Sequence, residues 1–381
     1  LLDIINIGSV VIILPDIMHQ VGFRADQLQW VSSAYALAFG ALLLVGGRLG
    51  DLFGHRRMYI LGITWFSIWS LVNGFAKNPI VMSVGRALQG VGAGFTIPNA
   101  LAILTTTYPA GPERNQALAV FGGSGAVGSV LGVLLGGLLG STIGWRWIFY
   151  FTAILGFIMA ALAIVIVPKE RDISTVEDRR IDIMGSFLFT LGIVAVIYYL
   201  SEGPNAGWAS ALALVPFCVG LVFLLGFLVV EWKIKFPIMP LHIWHSRRLV
   251  ASTLAIMSQT AATNAMVFFF SLTAQNVQSY SPMTTSLCFI ANGLGSLLCM
   301  AIMTKLVTKV RTKIISVFGS ICSIASFVLL AQIKEDSSYW SIAFPALILN
   351  ALGMAPIWLC CQINSVADAR NEDQGVVGAS K

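Results

Sequence analysis

Apolar residues fall in long unbroken runs along the whole chain, not in alternation with polar ones. The runs lie at 1–18, 30–50, 58–76, 80–106, 116–142 and 147–167, then at 183–201, 209–232, 249–271, 283–306, 313–332 and 339–362. Most reach ~20 residues, the length at which an α-helix crosses the hydrocarbon of a bilayer with some tilt. Strands of a membrane barrel would appear as short alternating segments, which this pattern does not contain. It predicts an all-α polytopic membrane protein with twelve spanning helices in these residues.

Composition removes the rivals. Hydrophobic residues make up 57% of the 381 and charged residues 10%, against roughly 25% charged in a soluble domain. Mean hydropathy is +0.84. So little charge cannot cover a water-soluble globule, and so much apolar content excludes disorder. The formal charge of +6 is scattered among apolar runs, not gathered in a stripe, so nucleic acid is not an expected partner. All six cysteines lie inside apolar stretches without metal-ligand spacing, which makes them buried hydrophobes. His242 and His245 stand three apart with no third ligand in view, so neither a metal nor another cofactor is expected. The chain opens at Leu1 already inside an apolar run, which reads as a truncated first helix.

Orientation follows from lysine and arginine, which favour cytoplasmic loops. If the first run starts at the cytoplasm, its alternate loops hold seventeen basic residues, from Arg48 to Arg370. The opposite loops hold four: Arg24, Lys77, Arg146 and Lys334. Both ends of the sequence are then cytoplasmic. No loop is large enough for a soluble domain.

Three segments carry more than hydropathy. After the second run stands Gly47-Arg48-Leu49-Gly50-Asp51-Leu52-Phe53-Gly54-His55-Arg56-Arg57. Its basic residues follow the positive-inside rule, but Gly47, Gly54 and the lone Asp51 need another reason: close packing, an unusual turn, and an acid aimed at a cation or a helix end. His55 lies four residues after Asp51, so an Asp–His contact is expected unless Arg56 or Arg57 takes its place. A worn copy, Lys305-Leu306-Val307-Thr308-Lys309-Val310-Arg311-Thr312-Lys313, follows the tenth run. The repeat divides the chain into a six-helix bundle at 1–167, a central loop with two linker helices at 168–248, and an incomplete second bundle at 249–381. Two further helices are expected beyond Lys381, fourteen in all.

In the fourth run, Arg86 stands inside apolar sequence, where an unpaired arginine costs at least ~2.5–3.5 kcal/mol, so it should face a partner or a cavity. Gln89 sits one turn away, and Arg86, Gly90 and Gly94 share a face. Asp3 and Asn6, three apart in the first run, form the candidate acidic counterpart; Asp3 also reads as the cytoplasmic edge of that helix. In the fifth run Gly128, Gly132, Gly136 and the adjoining Gly137 allow close backbone approach. Trp145-Arg146-Trp147 opens the sixth as an aromatic interfacial anchor. Asn73, Asn99, Gln259, Asn264, Asn292 and Asn350 are polar residues available either for interhelical bonds or for lining a pathway.

The Gly47–Arg57 segment is similar to the loop signature of the major facilitator superfamily, and Arg86-Ala87-Leu88-Gln89-Gly90 resembles its helix-four arginine pattern. Helix one, the Trp-Arg-Trp stretch, Glu202-Gly203-Pro204 and Pro237-Ile238-Met239-Pro240-Leu241 look like the fourteen-helix drug/proton antiporters, including fungal proteins of the aminotriazole-resistance type. The resemblance implies two bundles with alternating access, a loop (Gly47, Asp51, Gly54, His55, Arg56, Arg57) that gates the cytoplasmic side, and proton coupling through Arg86 and Gln89 with Asp3 or Asn6. Its implied partners are the bilayer, a small amphipathic substrate and protons, with a monomer in the plasma membrane before the vacuolar one. Two departures are plain: Asn6 stands where helix one of the antiporters has aspartate, and the helix-five prolines are absent at Ser129 and Val133. An uptake or facilitative carrier of a nutrient, ion or metabolite is therefore the alternative. A non-transporting membrane sensor is the alternative from another class, and an enzyme is not expected.

Overall fold

The computed structural model describes residues 1–24, 27–108, 112–168, 183–234, 244, 246–307 and 309–367. Helices occupy all twelve apolar runs, and no strand occurs among the described residues. The first run is broken: α1 (Leu2–Ile12) and α2 (Leu14–Val21) meet at a 65° bend, just before Pro15, which has no N–H to give the preceding turn. α3 (Trp30–Phe53) and α4 (His55–Gly74) follow. α5 (Pro79–Thr107) starts from Asn78, whose side chain accepts from the amide of Val81 at 2.8 Å, with proline in its first turn. α6 (Pro112–Thr142) and α7 (Arg146–Ile166) complete the first set.

α8 (Ile183–Ala206) and α9 (Ala211–Lys233) form a pair, and α10 (Arg247–Asn276) begins the second set. There the short α11 (Pro282–Cys288) runs into α12 (Ile290–Leu306), followed by α13 (Thr312–Leu330). A π-helical turn, Tyr339–Ala343, leads into α14 (Phe344–Ala367). Among the described residues, nine helical stretches are long and apolar enough to cross a membrane, or ten with the bent pair taken as one span. α4 is less apolar because His55, Arg56 and Arg57 fill its first turn, and the described apolar part of α6 is Val127–Thr142.

Packing follows the small residues. α5 lies against α3 on one side and α4 on the other. A Cβ on Gly90 would crowd the amide of Phe39 at 3.1 Å, and one on Gly94 its carbonyl at 3.2 Å. Gly92 and Gly62 form the equivalent seam with α4. The α8–α9 pair leans on the flank of α3, where Thr190 donates to the carbonyl of Ala41 (3.0 Å) and Gln29 to that of Ser201 (2.7 Å). The first and second sets meet chiefly through α1–α10, α2–α10, α6–α11 and α6–α12. Outward faces keep large apolar side chains exposed, Val165, Val222 and Ile324 among them, as a lipid-facing surface requires.

The central loop residues 169–182, the two-proline stretch 235–243 and the C-terminal residues 368–381 lie outside the described residues, as do the expected roles of Arg179, Pro237, Pro240 and Arg370.

Candidate functional site

Arg86 is the residue to which the first set is organised. It sits in the first third of α5 and is 1% exposed. Its Nε donates to the carbonyl of Val31 at 2.8 Å, and its Nη1 to Oδ1 of Asn6 at 2.6 Å and Oε1 of Gln89 at 2.7 Å. The guanidinium carbon lies 4.4 Å over the ring of Tyr35 and 6.0 Å from that of Phe149. Gln89 is held in turn by Asn73 of α4, whose Nδ2 donates to the same Oε1 at 3.1 Å. α1, α3, α4, α5 and α7 thus each contribute to one cage. Neutral oxygens and two aromatic faces compensate a buried cation that would otherwise be too costly to place here.

The sequence brought forward Asp3 and Asn6 together; of the two, the structure hydrogen-bonds only Asn6 to the arginine. Among the described residues no carboxylate forms an ion pair with Arg86. Asp3 lies one turn nearer the start of α1, its Oδ1 buried without a hydrogen-bond partner. Nδ2 of Asn6, Nε2 of Gln89, Oδ1 of Asn73 and the hydroxyl of Tyr35 are also buried and unpartnered. A cage with that much unused capacity can rearrange its hydrogen bonds without first breaking an ion pair. In this conformation the guanidinium is walled off inside the first set and opens on neither water nor lipid.

The Gly47–Arg57 segment is not a loop. Gly47 to Phe53 extend α3, His55 begins α4, and the chain turns at Gly54 alone, with φ 98°, a conformation that needs glycine. Asp51 lies 3.6 Å from Arg48 and 3.4 Å from Nε2 of His55, so the Asp–His contact forms. Nδ1 of His55 donates to Oδ1 of Asn99 on α5 (2.9 Å), because the Asn99 amide is committed to the carbonyls of Gly46 (2.8 Å) and Phe95 (2.7 Å). Arg56 reaches instead to the carbonyl of Ile164 near the end of α7 (2.6 Å), a terminus with unpaired acceptors. Arg57 borders an apolar groove along α4 with Ile60, Leu61, Thr64, Trp65 and Ile68. Gly47 faces Pro98 across the α3–α5 seam.

The glycines of α6 divide between two partners. Gly128, Gly132 and Gly136 face α1: a Cβ at Gly132 would lie 2.7 Å from the carbonyl of Ile5, and one at Gly136 2.8 Å from Ser9. Ser9 donates to the carbonyl of Gly132 across this seam at 2.7 Å. Gly137, one residue on, faces α11, where a Cβ would meet the Pro282 carbonyl at 2.8 Å and the Ser286 side chain. It therefore belongs to the contact between the two sets.

Most of the other intramembrane amides make interhelical bonds. Asn73 holds Gln89 and Asn99 holds His55. Ser323 of α13 donates to Oε1 of Gln259 (3.1 Å), and Asn292 donates to Asn350 (3.0 Å). Asn264 differs: it is exposed, and its Nδ2 donates only within its own helix, to the carbonyl of Thr260 (2.9 Å). Trp145 is likewise not an interfacial anchor. It is 1% exposed and donates to Gln20 at 2.9 Å, which leaves Trp147 at the surface. Sequence reading missed Val31, Tyr35, Phe149 and Gln275. The last donates from α10 to the carbonyl of Ile12, at the break of the first span (2.9 Å); a backbone acceptor and an aromatic face leave no spacing signal.

A model of the Major Facilitator Superfamily matches residues 1–380. The chain is 31% identical to a puromycin resistance protein, pur8, of Streptomyces alboniger, over 98% of this chain and 74% of that protein. It is 33% identical to the multidrug transporter mfsC of Aspergillus fumigatus, over 84% of this chain and 61% of that protein. A low affinity ammonium transporter of Saccharomyces cerevisiae is 29% identical over 93% of this chain and 70% of its own length. Among solved structures, the POT family transporter PepTSo superposes with a TM-score of 0.70 at 15% identity, covering 100% of this chain and 84% of its own, a likeness of fold.

Proposed function

Because this chain belongs to the Major Facilitator Superfamily, and so is an integral, multi-pass membrane transporter and not an enzyme, we propose that it exports small amphipathic molecules in exchange for protons. Similar proteins carry the names puromycin resistance protein, multidrug transporter, cephamycin export protein and efflux pump, and these names support the substrate class. On this reading residues 1–167 and 249–381 are the two moving bundles and 168–248 a linker. The Gly54 turn with Asp51, His55, Arg56 and Arg57 gates the cytoplasmic side, and the protein works as a monomer in the plasma membrane.

The observation that carries the reading is the caged Arg86. A buried guanidinium held by three neutral oxygens is a charge whose environment changes as soon as Asn6 or Gln89 moves, and such a charge can govern proton binding at Asp3 one turn away. In proteoliposomes an imposed proton gradient should drive export of a fluorescent amphipathic cation. Dissipating the gradient should abolish that export, and export indifferent to it would refute the coupling. One observation favours a second reading, a facilitative or uptake carrier: Asn6 occupies the place of the carboxylate nearest Arg86 and cannot itself titrate. Substrate flux that follows only its own gradient would select that carrier.

A further inference from the structure

The α8–α9 pair packs on the first set chiefly through α3, and beside that contact the fold leaves a recess. At the end of α3 away from Gly54, Gln29 holds the carbonyl of Ser201, and the ring of Trp30 lies 6.4 Å from that of Tyr198. Next to these contacts opens a cavity of about 660 Å³ with three walls. Arg24 and Trp30 come from the α2–α3 connection and the start of α3, Ile80 and Ser83 from the first turns of α5, and Glu202 and Leu212 from the α8–α9 corner. No residue of the arginine cage or of the Gly54 turn lines it.

Charge is divided across the recess. On one side stand Arg24 and the start of α5, whose first residues, Pro79 and Ile80, reach the cavity; a helix start carries partial positive charge. On the other stand Glu202 and the last turn of α8, ending at Ala206, the negative pole of a helix. Glu202 is half-buried and makes no ion pair or hydrogen bond among the described residues, and neither does the hydroxyl of Ser83. Arg24 interacts within the protein, and its planar fork can serve two partners at once. Apolar side chains lead away from this polar mouth. They are Ile80 and Val84, four apart on α5, and Leu212, Val215 and Val219 at steps of three and four on α9, all exposed.

We propose that this recess binds one phospholipid of the leaflet opposite the Gly54 turn, and that its head group is a phosphoethanolamine. A zwitterion answers both poles. Its phosphate goes to Arg24 and the start of α5, and its ammonium, with three N–H donors, to Glu202 and Ser83. A choline head has no N–H to give these oxygens, and an anionic head without an amine leaves Glu202 unpaired beside a like charge. The acyl chains follow the apolar flanks of α5 and α9. The lipid thereby ties α5 to the α8–α9 pair, which the protein itself seats chiefly through α3. The site lies apart from the arginine cage and does not depend on what is transported.

Native mass spectrometry of the delipidated protein supplies the test, with dioleoyl phosphatidylethanolamine, phosphatidylcholine and phosphatidylglycerol added singly. One phosphatidylethanolamine should be retained per chain, about tenfold more tightly than either of the others. Glu202→Gln and Arg24→Gln should each weaken that retention about tenfold, while Arg57→Gln, beside the Gly54 turn, should not. Phosphatidylethanolamine at ten times its Kd should also raise the melting temperature of the unsubstituted protein by a few degrees and leave that of Glu202→Gln unmoved. A Glu202→Gln protein that melts lower with and without lipid, yet keeps the lipid response, has lost only a structural contact and overturns the proposal. So would equal retention of phosphatidylcholine or phosphatidylglycerol, retention unchanged in both variants, or displacement of the lipid by an equal concentration of soluble glycerophosphoethanolamine. The lipid preference of the unsubstituted chain decides the matter even where a variant fails to fold.

Discussion

Arg86 forms no ion pair among the described residues and is held by three hydrogen bonds to neutral oxygens. Its Nε and Nη1 point in two directions, to Val31 and to the Asn6–Gln89 pair, which a lysine ammonium cannot reproduce. Arg86→Lys should therefore preserve insertion but slow transport about 10–100-fold, the loss of a charged hydrogen bond worth about 1.5–3 kcal/mol. Initial export rates at matched protein amounts check this, and a lysine variant with full activity would remove the fork geometry from the mechanism. At the turn, His55→Ala should remove the partner that Asp51 Oδ1 and Asn99 Oδ1 share and lower the unfolding temperature of the purified protein by a few degrees, for about 1–2 kcal/mol lost. An unchanged melting curve would show that the Asp51–His55–Asn99 chain is not structural. The arginine was legible because a cation in apolar sequence is conspicuous. Its cage was only half legible: Gln89 shares its helix face, and Asn6 was one of two candidates. Val31 contributes a carbonyl and Tyr35 a ring face, and neither has a periodic signature.

Each helix took its place from the apolar runs, but how helices approach one another was decided by where side chains are missing. The ridge of Gly128, Gly132 and Gly136 lets α6 lie on α1 with backbone in contact. Gly132→Ala should push Ile5 and destabilise by about 1–3 kcal/mol, seen as a lower melting temperature in detergent. Gly40→Ala, on a helix position with nothing within 4 Å of the added carbon, should be neutral or slightly stabilising. Equal shifts in the two variants would mean that the seam is not tight. The glycine spacing announced this ridge, yet it did not tell that Gly137 serves a different neighbour, since a one-residue step turns a helix by 100° and only the fold says what waits there. Nor did hydropathy separate a loop from a helix end at Gly47 to Arg57, because the basic residues there sit on the inner turns of α3 and α4.

At the level of the molecule, the first and second sets meet through Gly137 against Ser286 and Gln275 against Ile12. A cysteine pair, Gly137→Cys with Ser286→Cys in a cysteine-free variant, should cross-link on oxidation and stop transport, with recovery on reduction. Undiminished export by the cross-linked protein would mean that this seam need not open. The sequence suggests two halves only through a faded copy of one basic segment, and it gives no sign of the seating of α8–α9 on α3, since a single threonine, Thr190, supplies the polar side-chain bond from α8 to α3. The bend at Ile13 gives the first span two arms on one joint. The inner arm carries Asn6 to the arginine cage, and the outer arm is wedged among Trp145, Phe149 and the tip of α10. A ligand lodged beside Ile13 would brace both arms at once and should slow the carrier without touching the arginine cage.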